Sequence, residues 1–126
     1  MAAIHQLEIS SKLIKSGAIS PELLEDIFRT VNESVSYEVE VADGITAASL
    51  PGFGSGAAAI ATIQTFIFMT DTKVTLNWNG ANTSLVVAAG NRKAVFMAYG
   101  VSTTTVPTVT NSSGQTAIIS VLAGGT

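Results

Sequence analysis

Glu38 and Glu40 stand two positions apart in a stretch that alternates apolar and polar residues, so a strand would present both carboxylates on one face. Such a pair can hold a cation, or act as general acid and base, when a third ligand or a cleft completes the site. Neither is legible here, and the two read as a solvated strand face. His5 is the one histidine and cysteine is absent, which leaves no partner for a triad, no thiolate metal site and no disulfide framework. The run Gly52-Phe53-Gly54-Ser55-Gly56 is glycine-rich, yet a phosphate-cradling loop ends in Gly-Lys-Ser/Thr and opens a helix. Here alanines follow and no lysine does, so a flexible connector is expected. Trp78, Phe53 and Tyr99 would form a sugar-binding platform if they turned outward. Trp78 shares its strand face with Val74 and Leu76, which argues for core or interface packing. Three Asn-x-Ser/Thr-type triplets, starting at Asn32, Asn82 and Asn111, fit the glycosylation pattern, but Glu8 interrupts any secretory signal that would expose them to it. The sequence thus predicts no enzyme, with no catalytic, cofactor-binding or metal-binding residue and no cofactor.

Charge is distributed unevenly. The first 43 residues hold eight acids and three bases, whereas only Asp71, Lys73, Arg92 and Lys93 are charged among the remaining 83. A small domain that stays monomeric devotes roughly a quarter or more of its surface to charge. From Gly44 onward this chain is instead rich in Val, Ile, Thr, Ala and Gly, so its outer faces are neutral enough to lie against other protein. Six scattered Lys and Arg in a chain of net charge −3 argue against nucleic acid. Arg92 and Lys93, the one adjacent basic pair, are expected in a turn after Ala89-Gly90-Asn91. The most apolar run, Ala57 to Met69, contains Gln64 and is too short to cross a bilayer, so no membrane segment is expected.

The elements that position these residues follow from periodicity. Ser20 can cap a helix, Pro21 suits its first position, and Glu22, Glu25 and Asp26 place negative charge at its positive end. Leu23, Leu24, Ile27, Phe28 and Val31 then fall on one stripe at helical spacing. Ile4, Leu7 and Ile14, with Gly17 as a cap, suggest a preceding helix, although Leu7-Glu8-Ile9 also alternates. Two helices meeting at a glycine resemble a helix-turn-helix, but the acids of the second do not suit a DNA groove, and a docking αα-hairpin is expected. From Val35 the period changes to two. Strands are expected over Val35 to Val41, Ile45 to Leu50, Ile60 to Thr70 (apolar on both faces, hence central or covered), Lys73 to Trp78, Leu85 to Ala88, Lys93 to Tyr99, Thr103 to Thr110 and Gln115 to Leu122. Asn79-Gly80 is a hairpin signal. The expected fold is mainly β: an antiparallel β-sandwich or jelly-roll-like domain of seven or eight strands over residues 34–126, behind an N-terminal helical arm over residues 1–33.

The order of turns in the second half carries a resemblance. Thr70-Asp71 before a strand ending in Trp78-Asn79-Gly80, then Asn111-Ser112-Ser113-Gly114 before a final strand running into Gly124-Gly125, is similar to small β-sandwich structural proteins of tailed bacteriophage virions. The resemblance covers about residues 35 to 125 and rests on turn chemistry, so no site residue carries over. It implies a non-enzymatic virion protein, assembled in the host cytoplasm, with the major capsid protein or other virion proteins as partners. A capsid decoration or cement protein is the leading expectation, a tail, baseplate or fibre-attachment component the second. A carbohydrate-binding module would require an outward aromatic row around Trp78, and a hydrolase a cleft over Glu38 and Glu40. A homo-oligomer is expected, with a trimer as the first guess. The candidate interface residues are Leu23, Ile27, Phe28 and Val31 on the arm, with Phe53 and Trp78 on the sandwich.

Overall fold

The computed structural model describes the backbone of residues 3–11, 14–15, 18–19, 23–31 and 33–126, apart from Ala57, Ala58 and Asn91. Side chains are described from Glu33 onward, except for those three residues and Tyr99, Gly100 and Val101. Among the described residues there is no helix.

Where two helices are expected, the described backbone is extended instead. Strand β1 (Ala3–Ser11) runs antiparallel to β4 (Leu23–Val31), with Ala3 opposite Val31 and Ser11 opposite Leu23. The short strands β2 (Ile14–Lys15) and β3 (Ala18–Ile19) pair between them. Two features of the sequence favour this outcome: the Leu7-Glu8-Ile9 alternation, and the β-branched Ile27, Thr30 and Val31, which are stiff in a helix and at ease in a strand. The helix-start residues Ser20, Pro21 and Glu22 and the cap Gly17 lie outside the described residues.

The remaining strands are β5 (Glu33–Val41), β6 (Ala48–Ser49), β7 (Ile63–Thr70), β8 (Val74–Trp78), β9 (Ala81–Leu85), β10 (Ala94–Thr103), β11 (Thr108–Thr110) and β12 (Ala117–Gly125). They form two four-stranded antiparallel sheets, ordered β10-β7-β12-β5 and β6-β11-β8-β9. The pairs β5·β12, β6·β11, β7·β10 and β8·β9 nest inside one another along the chain. One long antiparallel ribbon, turned at Asn79-Gly80 and wrapped over itself, produces this pattern, and it is jelly-roll connectivity.

The turn at the tip explains itself. Asn79 and Gly80 both have positive φ, 51° and 82°, as a two-residue type I′ turn requires, and Trp78 faces Ala81 across it. Strand β9 therefore begins at Ala81, earlier than the expected Leu85. Its polar Asn82-Thr83-Ser84 hides it from a hydrophobicity-based reading. Strand β10 runs through Gly100, where a strand end is expected; its register against β7 shifts between Tyr99 and Thr103, the bulge that a glycine in a strand often marks. The Gly52 to Gly56 run, expected to be a flexible connector, is tied to Ile60 at Gly52 and Gly54. Ile60 donates its N–H to the Gly52 carbonyl at 2.9 Å, and Gly54 donates to Ile60 at 3.0 Å.

Alternation places one residue row of each strand in the core. Phe68 lies between Phe96 and Val121, and Phe66 between Ala98 and Ala123, on the inner face of the first sheet. Val74, Leu76, Leu85 and Val109 come from the second, and all are buried. Every buried hydrophobic among the described residues belongs to this one cluster.

Candidate interaction surfaces

The odd rows of the first sheet face outward and are apolar at their centre. Val95, Met69 and Ser120 stand side by side with Glu38 at the end of the row, and the next row reads Met97, Ile67, Leu122 and Ser36. Val95, Met97 and Leu122 keep 51 %, 49 % and 44 % of their surface exposed, values that burial in a monomer normally lowers. An open groove of about 570 Å³ follows this face, lined among others by Ser36, Glu38, Ile67, Met69, Ser120 and Leu122. A signal for it existed in the sequence: the run that became β7 is apolar on both faces, which demands a cover on each side. The inner side is covered by the second sheet, and the outer side is this face.

Trp78 and Phe53, two of the sequence candidates for an interface, come together in an aromatic cluster at the sandwich edge. The Trp78 ring stacks on Phe66 with centroids 4.6 Å apart and meets Phe96 at 6.0 Å, while Phe53 touches Phe66 edge-on at 6.0 Å. Both are half-buried. The Trp78 ring is thus spent on packing between the two sheets, and the face it would offer a sugar is occupied by Phe66. The other candidates, Leu23, Ile27, Phe28 and Val31, lie on β4, where side chains are outside the described residues. His5 falls on β1 with the same consequence.

The carboxylates divide by task. Asp71 accepts the Ile118 N–H at 2.8 Å and Asp43 accepts the Gly114 N–H at 2.9 Å, so each clamps a backbone amide in a distant part of the chain. Thr70, just before Asp71, donates its hydroxyl to the Thr72 carbonyl at 2.6 Å and accepts the Thr72 N–H, a turn of its own. Glu38 and Glu40 are exposed on the outer side of β5, and Glu40 also borders a smaller groove of about 320 Å³ with Val39, Ile45 and Leu50. Among the described residues no three His, Cys, Asp or Glu side chains are grouped to hold a metal ion. Glu38 and Glu40 share the outer side of β5, with no third such side chain grouped beside them among the described residues.

Two polar residues hold the edge of the sandwich. Buried Asn111 donates its amide to the carbonyls of Val41 at 2.8 Å and Gln115 at 2.7 Å, and its oxygen accepts from the Ser113 N–H and hydroxyl. The glycosylation triplet at Asn111 is thereby closed to an acceptor role, since the amide is fully engaged inside the protein. Tyr37 donates its hydroxyl to the Pro51 carbonyl at 2.8 Å, and burial pushes its pKa well above the ordinary tyrosine value. A third hollow, of about 240 Å³, is lined by Thr62, Asn79 and the hydroxyls of residues 102–105 and has no aromatic wall. No helix among the described residues is long and apolar enough to cross a membrane. No family model matches the chain, and no curated protein or solved structure shows significant similarity to it.

Proposed function

We propose that this chain is a non-enzymatic structural subunit of a tailed-phage virion, in the first place a decoration or cement protein that reinforces the head through protein–protein contacts. The observation that carries the reading is the outer face of the β10-β7-β12-β5 sheet. A charge-poor sheet with three large apolar side chains about half exposed is built to be covered, and an apolar centre with a polar border is how a protein-binding surface is composed. Jelly-roll connectivity supports the reading by analogy alone, because that architecture serves capsid proteins and lectins alike. The turn chemistry behind the resemblance also fits: Thr70, Asp71, Asn111 and Ser113 spend their polar atoms on holding loops.

The experiment is localisation in the particle. Virions made from the genome that encodes this chain, purified and reconstructed by electron microscopy, are expected to show many copies bound on the head shell. Particles lacking the chain are expected to lose shell stability on heating, and adding the purified protein back restores it. Density at the tail or baseplate instead moves the chain to the second virion role, and absence from purified particles overturns the reading.

A further inference from the structure

The outer face of the β10-β7-β12-β5 sheet is apolar at its centre and oppositely charged at its two edges. One step beyond the row Ala94, Thr70, Ile119 and Val39, the chain carries Lys93 at the β10 edge and Glu40 at the β5 edge, with Arg92 one level farther out and Glu38 two levels nearer the apolar centre, in the row of Val95. All four are exposed. Asp71, on the same level nearer the middle, is already engaged by the Ile118 N–H.

We infer that this face binds a second copy of the same chain about a two-fold axis parallel to the strands. Two in-plane two-fold axes can bring identical sheets face to face. An axis across the strands lays the β5 edge on the β5 edge, so that Glu38 and Glu40 share that edge with the same acids of the other copy. An axis along the strands exchanges the edges and preserves the level, so Lys93 of one copy meets Glu40 of the other, on both sides at once, while Glu38 comes level with Val95 of the other. Like charges in contact are unfavourable and opposite ones guide register, so the charge pattern selects the second axis. The same rotation sets Ile67 over Leu122 of the second copy and Met97 over its Ser36, which closes the apolar centre. With strands about 4.8 Å apart and residues rising about 3.4 Å, the face covers roughly 450 Å² per copy, about 900 Å² in total, in the range of weak, transient interfaces. The pair is therefore weak and formed at the high local concentration of an assembly. This inference rests on the assembly-subunit reading and names one partner within it; it replaces the trimer expected from composition with a pair.

The test uses the full chain. Sedimentation at low salt, at roughly 0.1–0.5 mM because so small a face binds weakly, is expected to show a dimer that dissociates as salt rises. The variants E40K and K93E, each carrying like charge at both contacts, are expected to associate at least tenfold more weakly. Mixed one to one they are expected to pair again, since every contact in the mixture joins opposite charges. Because the chain has no cysteine, a mixture of Ser36→Cys and Met97→Cys proteins adds a second measurement: mild oxidation is expected to cross-link the two to each other, in preference to Ser36→Cys with itself. A monomeric wild type, a trimer, charge variants that associate like wild type, or a mixture that fails to pair or cross-link overturns the inference. A dimer that is absent from virions overturns the virion reading alone, and a monomer found on the head shell overturns the pair alone.

Discussion

Trp78 shows how one residue can tie two sheets together. Its ring stacks on Phe66 from the opposite sheet at 4.6 Å, so Trp78→Ala removes a large contact from a site bounded by Phe66 and Phe96. A loss of about 3 kcal/mol is expected, the lower part of the range for aromatic truncation because the ring is only half-buried. Thermal or urea melts measure it, and a change below 1 kcal/mol would mean the ring contributes little to packing. Tyr37 makes a prediction of different sign with pH. Its neutral form is favoured in the fold, so its stabilisation is fully present below the unfolded tyrosine value near 10 and is lost as pH rises above it. Tyr37→Phe is expected to cost about 1 kcal/mol at pH 7 through the lost bond to Pro51, and that difference should shrink and then reverse in melts taken above pH 10. A difference that stays constant with pH would show that the phenol titrates as freely in the fold as outside it.

At the scale of elements, the β8–β9 hairpin is the one local pairing in the two four-stranded sheets, which are otherwise assembled from distant segments. Gly80 sits at φ 82°, where a Cβ is costly although open space surrounds it. Gly80→Ala is expected to destabilise by about 1–2 kcal/mol for backbone reasons alone. Because the turn sits at the tip of the nested ribbon, the loss should appear largely as slower folding in stopped-flow experiments. Faster unfolding at an unchanged folding rate would place hairpin formation after the rate-limiting step. Strand β12 occupies the opposite role. It lies between β5 and β7 and bonds to both, so the first sheet cannot close until β12 is in place.

For the molecule as a whole, folding must bring Ala117 against Val41 across about 75 intervening residues. Such long-range closure belongs to the slow, millisecond-to-second regime of two-state folding. All buried core residues described lie between Val41 and Ala123, with Val35 packed against them. Deleting residues 1–32 is therefore expected to leave a cooperatively melting sandwich. Loss of the cooperative transition in calorimetry would instead make the N-terminal segment part of the folding unit.

The sequence by itself determined what depends on near neighbours. Asn79-Gly80 specified its hairpin because only a few residue types accept two positive φ values in a row. The alternation from Val35 to Val41 specified a half-buried strand because side chains on a strand point to alternate faces. Local pattern misled where two periods competed. Leu23 to Val31 satisfies a helical stripe, yet the described backbone there pairs as a strand with Ala3–Ser11, and pairing with a distant segment leaves no trace in a window of ten residues. What only the tertiary structure decided was partnership. Asp71 and Asp43 show no partner within their own stretch of sequence, but they clamp amides 47 and 71 positions away, at Ile118 and Gly114. The same holds for the candidate surface. Val95, Met97, Ile67, Met69 and Leu122 lie on three strands far apart in the chain, and they become one apolar face because β10, β7 and β12 lie side by side in register. Alternation says that a residue faces one side of a sheet, whereas which side is core depends on where the second sheet lies.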